Sequence, residues 1–200
     1  MTNQYVDTEA MQYFPLVEDI AQVLSLRTQN TNLHFFRLQA SFALAQLASM
    51  QRVSINTPDR GKVPVNIYII NLSPSGTGKG HSTNILETEV TEGFREHFIN
   101  ETFETTAAVN LITVANLIAH RKGTDPDTEI TRLEKEYASL GPLLYSFDSG
   151  TSPAVKQMRQ KLLLASLGSI NLVMDEIGSN FTSNTEVLNV FLELFDMGYS

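Results

Sequence analysis

The chain has 200 residues, 42% of them hydrophobic and 18% charged, which suits one domain, or one with a small appendage, and excludes wholesale disorder. Its 14 Lys and Arg against 22 Asp and Glu leave a formal charge of −8, so the chain is a poor general polyanion binder and any contact with nucleic acid needs a local basic patch. The absence of Cys excludes disulfides, thiolate catalysis and Cys-ligated metal, and His34, His81, His97 and His120 lack metal-ligand spacing.

No segment reaches the roughly 18–20 consecutive apolar residues of a membrane helix. The N-terminal MTNQYVDTEAMQ lacks the basic start and apolar run of a signal peptide. The expectation is a cytoplasmic protein without a membrane partner.

In chain order, residues 9–25 read as a short helical region that Pro15 kinks or restarts. Residues 31–51 read as a stronger helix, capped by Thr31, with Leu33, Phe36, Leu38, Phe42, Leu44 and Leu47 at helical spacing. Residues 1–51 are therefore expected to form a helical N-terminal segment, and 52–200 the main domain. Residues 52–56 are a candidate strand and 57–62 turn material. The β-branched, almost continuously apolar run 65–72 (VNIYIINL) predicts a strand buried on both faces of a parallel sheet. Helices are expected over 79–98, 102–121 and 125–139, the last capped by Asp125 or Asp127. Gly141 and Pro142 break the chain. Strands are expected at 143–147 and 170–174, and helices at 153–166 and 185–197. Strands alternating with helices predict an α/β fold with a mostly parallel sheet.

Between the 65–72 run and the next helix lies SPSGTGKG, residues 73–80. A strand, a glycine-rich turn and a helix start, with a lysine at the junction, form the arrangement of a phosphate-binding loop, or Walker A motif. Glycines let backbone N–H groups turn toward a polyphosphate, and Lys79 reaches its terminal phosphates. The binding set is Ser73, Pro74, Ser75, Gly76, Thr77, Gly78, Lys79, Gly80 and His81, with His81 packing or capping rather than catalysing. Against the pattern G-x-x-x-x-G-K-[ST], Ser73 replaces the first Gly and Gly80 replaces the hydroxyl residue that ligates Mg²⁺. A water, or Ser82 from a distorted helix start, is the expected substitute.

Residues 170–176 (INLVMDE) supply a Walker B pattern. Asp175 at the strand end would hold Mg²⁺, and Glu176 would polarise the attacking water, with Lys79 completing the catalytic pair. Asp148, ending the other candidate strand, is the rival for the water-activating role. Lys156, Arg159 and Lys161 form a small basic cluster on the helix after it, a solvated face or a contact to nucleic acid or a neighbouring subunit.

The SPSGTGKGHS loop behind an Ala-rich helical segment, the VMDEIGSNF strand end and the LNVFLELFDMGYS helix resemble the helicase-like P-loop ATPase domain of phage and prophage primase-helicase-type replication proteins, over residues 30–200. The resemblance implies a RecA-like fold, ATP with Mg²⁺, assembly into a homo-oligomeric ring, and work on single-stranded or forked DNA beside other replication proteins. It assigns Lys79 to the phosphates, Asp175 to the metal and Glu176 to the catalytic base. Only 24 residues follow Glu176, so the expected RecA-like core is incomplete at its C-terminus. The leading expectation is an ATPase motor that unwinds or translocates on DNA. The alternatives are a nucleotide-binding loader or regulatory module with little hydrolysis, and a phage packaging ATPase.

Overall fold

The structure, a computed structural model, describes residues 12–148, 151–167 and 169–173. Of these, 66% are helical, and their only sheet is one antiparallel hairpin. The expected RecA-like α/β fold with a mostly parallel sheet is therefore overturned. The chain divides into two compact units: residues up to Leu44 with Ile67–Thr91, and Ala45–Asn66 with everything from Glu92 on.

In the first unit, α1 (Pro15–Thr28) begins where Pro15 takes the first helical position, the starting rather than the kinking role. It buries Val17, Ala21 and Leu24 and ends at Gln29, whose backbone is left-handed. The Asn30 N–H then turns back to the Ser25 carbonyl at 3.2 Å. Helix α2 (Leu33–Met50), which belongs to this unit as far as Leu44, is capped by Asn32, whose Oδ1 accepts the Phe35 N–H at 3.3 Å, and not by Thr31. Phe35, Phe36 and Ala43 of α2 close a core with Ala21 and Leu24 of α1 and with Ile85 and Leu86. Arg37 grips Glu18 with both arms of its fork, at 2.7 and 2.9 Å, and lies 4.1 Å from the Tyr13 ring. That hydrogen-bonded guanidinium holds the Glu18 carboxyl below its usual range.

The run 67–72 forms no strand in this unit, and Ile70 and Leu72 are 70% and 82% exposed. Its composition favours a pleated, half-buried surface, but a strand exists only where a second one supplies the ladder. Helix α3 (Lys79–Ile85) runs into a π-helical turn, Leu86–Val90. Thr91 ends it, with its N–H and hydroxyl both on the Leu86 carbonyl at 2.9 and 3.0 Å, so the helix expected over 79–98 is interrupted.

The second unit holds the hairpin of β1 (Ser54–Thr57) and β2 (Gly61–Pro64), turning where 57–62 was expected to turn. Helix α4 (Glu92–His97), a π-helical turn (Phe98–Thr102) and α5 (Phe103–Lys122) follow. The continuous helical run Glu92–Lys122 is, by length and composition alone, long and apolar enough to cross a membrane. Here Phe103, Ala107, Leu111, Ala115 and Ala119 form a buried face, and α5 packs against α6 (Pro126–Ala138). Leu133 and Tyr137 of α6 join that core with Val155, Met158 and Leu162 of α7 (Ser152–Leu164). Asp125 caps α6 by accepting the Thr128 N–H at 3.0 Å, as its position predicts.

The two strands expected at 143–147 and 170–174 shrink to a trace. Gly141–Leu144 is a 3₁₀ turn, and one parallel bridge joins Phe147 to Leu172. The Phe147 N–H reaches the Asn171 carbonyl at 2.9 Å, and the Val173 N–H reaches the Phe147 carbonyl at 3.0 Å. The helix expected at 185–197 lies outside the described residues.

Candidate phosphate-binding loop

Residues 73–78 form an irregular loop that opens directly into α3 at Lys79. Gly76 and Gly78 both have φ near +82°, a left-handed backbone that L side chains adopt at a steric cost. They flank Thr77. At Gly78 space adds a second constraint: a Cβ there would sit 2.8 Å from the Thr28 Cβ.

Ser73, which departs from the Gly of the standard pattern, takes part in the loop's closure. The Thr77 hydroxyl lies 2.9 Å from the Ser73 hydroxyl and 3.0 Å from the Pro74 carbonyl, tying the loop's start to its end. From outside, the Asn30 side-chain amide donates to the Thr77 carbonyl at 2.8 Å. Below the loop, Ser82 and Thr83 both donate their hydroxyls to the Lys79 carbonyl, at 2.8 and 3.0 Å. Arg27 and Glu89 form an ion pair on the same unit.

Pro74, Ser75, Gly76, Gly80 and His81 are exposed, while Ser73, Thr77, Gly78 and Lys79 are half-buried. At Gly76 and Gly80 an added Cβ would meet nothing within 4 Å, so the loop is open on those sides. Gly80 lies outside the left-handed region, so neither backbone nor packing requires glycine there. The loop's chemistry suits the phosphates of a nucleotide: turned backbone at two glycines and a lysine at the helix junction.

No group of three or more His, Asp or Glu comes together among the described residues, and Gly80 has no side-chain oxygen. Ser82, the expected substitute, is fully buried with its hydroxyl on the Lys79 carbonyl. Asp175 and Glu176 lie outside the described residues. Asp148 is exposed just after the Phe147 bridge. In the basic cluster Lys161 pairs with Glu136 at 3.1 Å, which makes it a link between helices, while Lys156 is exposed.

Asn30 and Thr28 carry no local sequence signal for their place beside the loop. Asn30 stands 47 residues from Thr77, at a helix end that reads as an ordinary cap. The second unit has a cavity of about 350 Å³ lined by Ser49, Arg52, Val53, Leu163, Ser166 and Leu167 among others. Arg52 and Ser166 there are left-handed, each at the C-terminal end of a helix.

No protein-family model matches the chain, and neither does any curated protein or solved structure.

Proposed function

We propose that the chain binds the phosphates of ATP through Ser73–Gly80 and acts as a nucleotide-binding module. The observation that carries this reading is the pair of left-handed glycines, Gly76 and Gly78, immediately ahead of a helix that starts at Lys79. Lys79 supplies a point charge to the phosphates. A hydrogen bond to a charged group contributes about 1.5–3 kcal/mol, so Lys79→Ala weakens ATP binding about 10- to 100-fold. Titration calorimetry with a non-hydrolysable ATP analogue measures this. Unchanged affinity in a folded Lys79→Ala variant removes the phosphate-loop reading.

A second reading extends the first to ATP hydrolysis coupled to unwinding or translocation on DNA, as the resemblance to phage replication ATPases implies. The parallel bridge between Phe147 and Leu172 favours it, because it pairs a residue three before Asp175 with the residue before Asp148. In this reading Asp175 holds Mg²⁺ and Glu176 accepts the proton of the attacking water. Glu176→Gln then keeps ATP binding and loses turnover, measured as phosphate release with and without single-stranded DNA. Turnover at the wild-type rate in that variant removes Glu176 from the role.

A further inference from the structure

The turn between α1 and α2, residues 29–32, holds the phosphate loop from outside. Asn30 is half-buried and is itself fixed at three points. Its N–H reaches the Ser25 carbonyl at 3.2 Å, its carbonyl accepts the Ser25 hydroxyl at 2.6 Å, and its Oδ1 accepts the Asn32 N–H at 3.0 Å. With those bonds made, its Nδ2 donates to the Thr77 carbonyl at 2.8 Å. One residue further along the loop, Gly78 lies so close to Thr28 that a Cβ would sit 2.8 Å from the Thr28 Cβ. The last residue of α1 and the turn after it therefore act on two successive residues of the loop.

A trans peptide is planar, and its carbonyl and N–H point in opposite directions. A bond that fixes the Thr77 carbonyl toward Asn30 therefore fixes the Gly78 N–H away from it. The Thr77–Gly78 peptide leads into a left-handed glycine, and a flexible glycine-rich loop rotates such a peptide readily. We infer that Asn30 is a positioning residue for phosphate binding: through the Thr77 carbonyl it sets the direction of the Gly78 N–H before the nucleotide arrives. Preorganisation of this kind tightens binding because the loop does not have to be ordered by its ligand.

This inference rests on the proposed ATP reading, and the test separates the two. ATP affinity is measured by calorimetry for the wild type and Asn30→Ala, together with hydrogen–deuterium exchange of the loop amides in the free protein. The expected result for Asn30→Ala is an ATP dissociation constant raised about tenfold, the equivalent of one lost hydrogen bond. Exchange should be faster at residues 76–79 and unchanged in the buried part of α1. Should Asn30→Ala fail to fold, Asn30→Asp keeps the acceptor for the Asn32 N–H but cannot donate to Thr77. In the nucleotide-free protein its loop amides should also exchange faster, a readout its extra charge cannot produce by repelling phosphate. Wild-type affinity and loop exchange in Asn30→Ala, or wild-type loop exchange in Asn30→Asp, overturns the positioning role. A wild-type protein that binds no ATP overturns the phosphate reading instead.

Discussion

Gly78 and Gly80 sit two residues apart and respond to substitution in opposite ways. Gly78 combines φ near +82° with a collision against Thr28, so Gly78→Ala meets both a backbone and a steric penalty. The backbone term alone costs about 1–2 kcal/mol. Gly78→Ala should lower the melting temperature and abolish ATP binding together. At Gly80 a Cβ enters open space with no left-handed backbone to oppose it. Gly80→Ser should therefore raise stability by about 0.5 kcal/mol, the difference in helix propensity. In the hydrolysis reading the new hydroxyl also tightens Mg²⁺-dependent nucleotide binding. Melting curves of both variants, with ATP titrations at varied Mg²⁺, check the pair. A destabilised Gly80→Ser would mean that the first turn of α3 is not built as described. The glycines themselves were readable from the sequence. The roles of Ser73 in closing the loop and of Asn30 in holding it were not, because each is a hydrogen bond to a residue that no local pattern couples to it.

Among the elements, α6 shows how a buried charge is kept. Glu129 has a side chain only 6% exposed and receives Arg132 Nε at 2.8 Å, Lys122 Nζ at 3.2 Å and the Thr124 hydroxyl at 3.2 Å. The Arg132 hydrogen bond, with Lys122 beside it, holds the carboxyl below its ordinary 4.5 despite burial. The folded-state pKa is therefore the lower one. The stabilising contribution is complete above the ordinary value and is lost as pH falls through the depressed one. Urea midpoints from pH 6 down to 3 should fall less steeply for Glu129→Gln than for the wild type. Parallel curves would assign the acid limb to other carboxylates. Burial in the same helix pushes the Tyr137 hydroxyl up to about 12, while that hydroxyl donates to the Lys161 carbonyl at 2.7 Å. At the helix start, Asp125→Ala removes the cap on Thr128 and should cost about 1 kcal/mol, read as a lower chemical-denaturation midpoint. Helices α5, α6 and α7 were legible because their punctuation is local: Gly123 after α5, Asp125 before α6 with Pro126 as its first residue, Pro153 in the first turn of α7. The same kind of reading misplaced the α2 cap by one residue, since Thr31 and Asn32 are both good caps and only geometry chooses between them.

For the molecule as a whole, helices and strands were legible to different degrees. A helix satisfies its backbone from its own neighbours, whereas a strand needs a partner that sequence order does not name. The strand expected at 52–56 appears as β1 (Ser54–Thr57), and the turn expected at 57–62 narrows to 58–60, because β2 follows from Gly61 and supplies the ladder. The 65–72 run has the composition of a buried strand, yet after Val65, whose N–H reaches the Val53 carbonyl at 3.2 Å, it forms no strand. Among the described residues, the backbones of the 143–147 and 170–174 runs pair in a single bridge, Phe147 with Leu172. The loop was nevertheless legible, because glycine conformation and a lysine at a helix junction do not depend on the sheet beside them. The most direct measurement of its role is hydrogen–deuterium exchange of the wild-type protein with and without saturating ATP. Protection should appear at residues 76–81, with α5 and α6 unchanged. Loop amides that exchange at the same rate in both states, at a concentration that saturates any binding seen by calorimetry, would contradict phosphate binding at this loop.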